Sequence, residues 1–274
     1  MSCFRRRGPT TPNSDVGGLT ARISGARLRP LALIGVLLGG ITLSAVACHD
    51  PGAEGPLLYA AASLAPAIDG LRAARADAPF GLFLGGTASI ARQLQEGAPP
   101  GCFLGADLRW ADELDAAGLV EPGTRIDLLT NRLVVVAPAG STLTIDRLDE
   151  LPSVGVRRVA LADPESVPAG RYAAAALLYV DAWDALESRV VGCTDVRAAL
   201  ALVVAGEVDA GIVYATDARG TDVRVILEID PQFHPTITYP LLLVKGAPAA
   251  ARDLWEWLQS EPAAAVFREA GFLR

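Results

Sequence analysis

Leu57-Leu58-Tyr59-Ala60-Ala61-Ala62-Ser63-Leu64 begins as an apolar strand pattern and ends on a hydroxyl that precedes a helical one. Leu64, Ile68 and Leu71 recur at helical spacing as far as residue 76, and Ser63 stands where an N-cap belongs. A strand running straight into a helix is half of a βαβ unit, and the pattern recurs downstream. Residues 80–84 read as a second strand with a short helix at 89–95. Residues 102–106 read as a third, followed by a helix near 111–117 closed by Gly118. Residues 133–138 are continuously apolar and β-branched, which is the form of a buried strand. A second series then repeats the alternation: a strand at 159–162, helices at 170–180 and 196–204, and a strand at 211–214. Residues 223–229 and 238–244 read as further strands, and helices at 249–259 and 262–270 close the chain.

The fold class expected is α/β, in two lobes, each a mostly parallel sheet flanked by helices. Two crossings near 134–138 and 239–243 join them at a hinge. Lobe 1 is expected to comprise residues 48–133 with 241–274, and lobe 2 residues 134–240. No internal repeat interrupts this reading.

The N-terminus has a different character. Arg5, Arg6, Arg7, Arg22, Arg27 and Arg29 make a basic leader, and residues 31–47 are uncharged, apolar and interrupted by glycines. Ser44-Ala45-Val46-Ala47-Cys48 follows, then the polar pair His49-Asp50. This is the anatomy of an export signal over residues 1–47. Ala45-Val46-Ala47 suits cleavage to a soluble protein; Cys48 after small residues suits a lipobox, with lipid on Cys48, and is the reading preferred. A retained membrane anchor is the third option, at the short edge of a spanning length. The leader removes six arginines and one aspartate, leaving 18 basic and 30 acidic residues, net −12. A domain so acidic is unsuited to nucleic acid. Any anion it holds must be held by local dipoles.

Chemistry-bearing clusters are sparse. The cysteines are Cys3, Cys48, Cys102 and Cys193, with no CxxC pair, and the histidines are His49 and His234. A zinc site is therefore not expected. Cys102 and Cys193 read as two buried thiols, with a disulfide as the alternative. There is no GxSxG, no HExxH and no cysteine with a plausible histidine base, so no enzyme is expected. Asp163-Pro164-Glu165 reads as turn and cap carboxylates rather than a catalytic or metal pair, and His234 as a loop residue.

What remains is a set of small and hydroxyl residues at strand ends. Ser63 follows the Ala60-Ala61-Ala62 run, whose small side chains leave the backbone open. Gly86-Thr87-Ala88-Ser89 repeats the arrangement without the GK[ST] of a nucleotide loop. Pro168-Ala169-Gly170 opens another helix, and Tyr214 ends a buried strand. Each has an ordinary structural role: an N-cap, a tight turn, a core tyrosine. Two hydroxyl-bearing helix starts together favour an anion cradle.

In order along the chain, these motifs resemble the periplasmic molybdate-binding proteins of ABC transporters. The resemblance runs from about Leu57 to Phe272. It rests on Tyr59-Ala-Ala-Ala-Ser63-Leu64, Ile90-Ala-Arg-Gln93, Gly97-Ala-Pro99, Ala106-Asp107 with Trp110, and Val134-Val-Val-Ala-Pro138. Further along it rests on Asp163-Pro-Glu165 with Val167-Pro-Ala-Gly170, Asp195-Val-Arg197, Gly211-Ile-Val-Tyr214, Tyr239-Pro240 and Gly271-Phe272. The resemblance implies a two-lobed periplasmic-binding-protein fold of type II that closes on a tetrahedral oxyanion. Position by position, it implies that Ser63 donates its hydroxyl and N–H, Thr87 its hydroxyl, Ala169 and Val196 their N–H groups, and Tyr214 its phenolic OH. The metal atom of molybdate or tungstate is then held through its oxygens, with no direct protein ligand and no cofactor. Implied partners are the oxyanion, an ABC permease and its ATPase, for a monomer at the periplasmic or extracytoplasmic membrane face. A different oxyanion such as sulfate, or a sensory domain without transport, is the alternative. Thr87 stands where the family usually has Ser, and Gly85-Gly86 also departs from its Ser-rich run, with consequences expected for cavity volume. Gly101-Cys102 replaces an Ala-Asp pair, with consequences expected for packing.

Overall fold

A computed structural model describes residues 55–274. The export signal expected at 1–47 and the lipidation candidate Cys48 lie outside the described residues. The strands are β1 (Leu57–Ala61), β2 (Gly81–Gly85), β3 (Cys102–Leu104), β4 (Ile126–Thr130), β5 (Leu133–Pro138), β6 (Val159–Ala162), β7 (Val190–Cys193), β8 (Ala210–Tyr214), β9 (Val223–Glu228) and β10 (Thr238–Leu243). The helices are α1 (Ala65–Ala74), α2 (Thr87–Gln95), α3 (Leu108–Ala116), α4 (Pro168–Tyr179), α5 (Trp183–Leu186), α6 (Val196–Val204), α7 (Ala215–Ala218), α8 (Ala249–Leu258) and α9 (Glu261–Glu269). No helix among the described residues is long and apolar enough to cross a membrane.

The strands form two five-stranded sheets with one shared plan. The first has the order β2-β1-β3-β10-β4 and the second β7-β6-β8-β5-β9. In each, three parallel strands lie side by side, and the fourth runs antiparallel to them. The fifth pairs antiparallel to that fourth strand. Helical crossovers feed the parallel strands, as a right-handed βαβ chain requires. The chain passes from the first sheet to the second through Asn131 and Arg132, and returns through residues 229–237. All of β10 belongs to the first sheet, so the return falls ahead of the expected boundary at 240. Pro240 lies inside that strand because the register shifts between Tyr239 and Pro240, a bulge that accommodates a residue without an N–H.

Burial explains the strand patterns. β5 buries five of its six residues, β8 and β10 all of theirs, which is why their sequences read as unbroken apolar runs. The two C-terminal helices cover the first sheet: α9 packs on α1, and α8 on β3 and β10. Trp255 anchors α8 by donating its indole N–H to the Thr124 carbonyl at 2.8 Å. Gly101 is needed for packing: a Cβ there would lie 2.4 Å from the Leu57 carbonyl oxygen. The two thiols are free and buried. Cys102 Sγ donates to the Ala251 carbonyl, and Cys193 lies in the other sheet.

Candidate functional site

One segment follows each of the six parallel strands, and the six meet between the sheets. Ser63 follows β1, Thr87 follows β2 and Ala106 follows β3. From the other side Ala169 follows β6, Val196 follows β7 and Tyr214 ends β8. All line a single small cavity. That is room for about one small group. Ligands of open α/β sheets bind at the carboxyl ends of the strands; here two such ends face each other.

Three helices aim their N-termini at this space. Gly86 precedes α2 and Val167 precedes α4, and neither supplies a side-chain cap. Asp195 caps α6, accepting from the Ala198 N–H at 2.9 Å, which leaves the first N–H groups of that helix uncapped. First-turn N–H groups have no carbonyl to bond within their own helix, so those of Ala169 and Val196 are available at the cavity wall. Gly170 lets α4 dock this closely: a Cβ there would meet the Ala162 carbonyl oxygen of β6 at 2.0 Å.

The hydroxyls of Thr87 and Ser63 are each engaged by a protein partner. Thr87 Oγ1 accepts from the Ala106 N–H at 3.2 Å, leaving its own proton free. The Asn131 amide is oriented by the Arg132 N–H, which donates to its Oδ1 at 2.9 Å. Its Nδ2 then donates to Thr216 Oγ1 at 2.9 Å and to the Tyr239 hydroxyl at 3.1 Å. The Tyr239 hydroxyl also lies 2.9 Å from Ser63 Oγ, and either of the two can be the donor. With Tyr239 as the donor, the Ser63 proton is left for the cavity. Tyr214 is 1 % exposed, and its hydroxyl has no hydrogen-bond partner in the protein. Burial, then the neighbouring Tyr239, holds that phenol well above its ordinary range, so it stays protonated. The cavity thus presents donors.

Apart from Asp195, which lines the cavity and accepts from its own helix through Oδ1, the neighbouring carboxylates are paired or buried. Asp107 pairs with Arg171 across the gap between the sheets. Asp217, fully buried in α7, lies 3.6 Å from Arg197, within ion-pair range but beyond a hydrogen bond. Burial outweighs the arginine and pushes the Asp217 carboxyl up to about 8, so at neutral pH it is mostly protonated.

The five residues singled out by sequence are brought together, but one is held differently from the expectation. Ser63 is not an N-cap: it lies inside a 3-10 turn (Ala62–Leu64) ahead of α1, and its hydroxyl is turned to Tyr239. The extra methyl of Thr87 lies beside Gly105, where a Cβ would be 3.0 Å from it. Asp163 forms a turn, accepting from the Glu165 N–H and the Ser166 hydroxyl. No cluster of potential metal ligands occurs among the described residues. Sequence reasoning missed Ala106, which the strand-end rule would have found after β3. It also missed the roles of Asn131 and Tyr239, whose partners are 108 residues apart and carry no local signal.

Residues 56–273 match the family model described as bacterial extracellular solute-binding protein. The chain is 38% identical over 192 residues to the molybdate-binding protein ModA of Escherichia coli, covering 68% of this chain and 75% of that protein. It is 32% identical to the putative ABC transporter substrate-binding lipoprotein YvgL of Bacillus subtilis, over 69% of this chain and 73% of that one. The fold matches the periplasmic molybdate-binding protein of Azotobacter vinelandii with a TM-score of 0.73 at 21% identity, over 80% of this chain and 99% of that chain.

Proposed function

The chain belongs to the bacterial extracellular solute-binding protein family, beside its molybdate-binding members, and from that premise we propose that it captures molybdate between its lobes and delivers it to an ABC permease. The observation that carries this reading is the set of hydroxyl and N–H donors that both lobes bring to the cavity. Molybdate at neutral pH is a tetrahedral dianion with no proton to give. It is satisfied by hydroxyls and N–H groups and repelled by carboxylates. Ser63, Thr87 and Tyr214 offer protons, Ala169 and Val196 offer N–H groups, and three helix N-termini add positive potential. Asp195, the one carboxylate residue lining the cavity, turns Oδ1 back onto its own helix. Hydrogen bonds to a charged ligand contribute about 1.5–3 kcal/mol each. Five to seven of them support micromolar-to-nanomolar affinity after the costs of association.

Tungstate, of the same shape and charge, fits the same donors. Phosphate carries a proton at neutral pH and needs an acceptor, which the hydroxyl and N–H donors do not supply. Sulfate is proton-free but smaller, so selection between it and molybdate rests on cavity size. The site performs no bond chemistry in this reading, and the protein is a carrier rather than an enzyme. It acts as a monomer held at the extracytoplasmic membrane face by lipid on Cys48. Calorimetry on residues 49–274 with four anions tests the assignment. Tight, near-stoichiometric binding is expected for molybdate and tungstate, far weaker heat for sulfate and none for phosphate. Silence with both molybdate and tungstate would contradict it, and preference for sulfate would favour the alternative oxyanion.

A further inference from the structure

Two motifs of the sequence, Ile90-Ala-Arg-Gln93 and Trp110, have no part in the donor set, and the fold brings them together. Trp110 in α3 is buried, and two exposed arginines lie over its ring. Arg92 of α2 is 5.4 Å and Arg109 of α3 is 5.2 Å from the ring centre. The aromatic ring attracts both cations and holds them in place. Neither guanidinium meets a carboxylate among the described residues. Arg171 and Arg197, which stand beside the Ala169 and Val196 N–H groups, each face one, Asp107 and Asp217. A groove runs between the lobes and shares Gly86, Val167 and Asp195 with the anion cavity. Arg92 supplies a cation to its wall, beside the uncharged Ser89, Gln93, Ser166 and Thr194. A helix rises about 1.5 Å per residue, which sets Arg92 about 7.5 Å along α2 from the donor Thr87. That is within the Debye length of about 8 Å at physiological salt. Arg109 lies three residues after Ala106 of the cavity wall.

We infer that Arg92 and Arg109, held on Trp110, form an outer anion site that draws the molybdate dianion to the groove and sets how fast it enters. The inference rests on the anion-capture reading above. Without residues 1–47 the chain is net −12, and such a field repels a dianion. The cavity donors act only over hydrogen-bond range, so they do nothing for an anion still in solution. A charge at the rim acts over a Debye length. In water, a dianion about 8 Å from one cation is enriched roughly six-fold before screening. The two arginines stand outside the donor set, so they speed arrival without adding to the bonds that hold the anion. Removing them should slow association and flatten its salt dependence, with release unchanged.

The test is stopped-flow association and release of molybdate on residues 49–274 at low and high salt. Wild type is compared with Arg92→Gln, Arg109→Gln, the double variant, Arg92→Lys and Lys245→Gln. The last removes one positive charge at the opposite edge of the first sheet, where the Val244 N–H donates to the Gly101 carbonyl ahead of β3. Each arginine-to-glutamine variant is expected to bind about two- to six-fold more slowly at low salt, and the double variant more slowly still. All should converge on wild type near about 0.5 M salt, with release rates unchanged. Arg92→Lys keeps the charge and should keep most of the wild-type rate, and Lys245→Gln should match wild type. Wild-type association in the double variant, equal slowing in Lys245→Gln, slow association in Arg92→Lys, or a loss of affinity carried by faster release would overturn the outer site. Failure of the wild-type chain to bind molybdate would instead overturn the reading of the cavity.

Discussion

Tyr214 concentrates the account at the scale of one residue. A buried phenol with no partner costs the folded protein the desolvation of a polar group, and an oxyanion in the cavity would supply what is missing. Tyr214→Phe is therefore expected to weaken molybdate binding by about 1.5–3 kcal/mol, while the ligand-free protein melts at the same temperature or higher. Titration calorimetry paired with thermal unfolding separates the two effects; unchanged affinity would remove Tyr214 from the site. Legibility from sequence was uneven here. Ser63, Thr87, Ala169, Val196 and Tyr214 stand beside strand ends with small neighbours, so local pattern marks them. The Asn131–Tyr239–Ser63 hydrogen-bond chain links residues far apart in sequence. Only the assembled fold makes it visible.

At the scale of elements, the site is made by where helices start. α2 begins at Thr87, two residues ahead of the expected helix, because Gly86 and not Ser89 precedes its first turn. α4 begins at Pro168 for the same kind of reason: proline needs no N–H partner at a first turn, and its fixed φ suits one. Helix α6 was legible at both ends, since Asp195 caps it and its apolar run stops at Val204. Strands β4 and β7 were not. β4 carries the exposed Asp127, and β7 is four residues long with Gly192 inside, so neither shows an apolar run or a clean alternation. Close docking of α4 onto β6 gives a prediction at this scale. Gly170→Ala forces a Cβ to within 2.0 Å of the Ala162 carbonyl oxygen and must shift the helix start. A loss of about 1–3 kcal/mol in denaturant unfolding is expected, together with weaker molybdate binding as the Ala169 N–H moves. Wild-type stability and affinity in that variant would show that α4 is not seated as described.

At the scale of the molecule, two sheets of one plan place six strand ends face to face, and the α/β alternation makes that architecture readable in the sequence. The precise return point was less readable, because β10 is buried along its whole length and its run of residues carries no mark of which sheet it joins. The buried Asp217 adds a property of the whole fold. Its folded carboxyl lies near 8, above the usual range for an unfolded aspartate, so between those values the folded state holds more protons than the unfolded one. Its contribution is therefore fully present below the unfolded value and lost as pH rises toward 8. Ligand-free wild type should lose stability from pH 5 to pH 8 relative to Asp217→Asn, measured by urea unfolding. Parallel curves for the two proteins would show that Asp217 ionises normally.

The central claim is that a proton-free oxyanion sits among donors drawn from both lobes. Crystals of residues 49–274 grown with molybdate and measured at the molybdenum absorption edge test it most directly. One anomalous peak is expected in the cavity, with oxygens within hydrogen-bond reach of the Ser63, Thr87 and Tyr214 hydroxyls and the Ala169 and Val196 N–H groups. A peak elsewhere on the protein, or an empty cavity at saturating molybdate, would contradict the account.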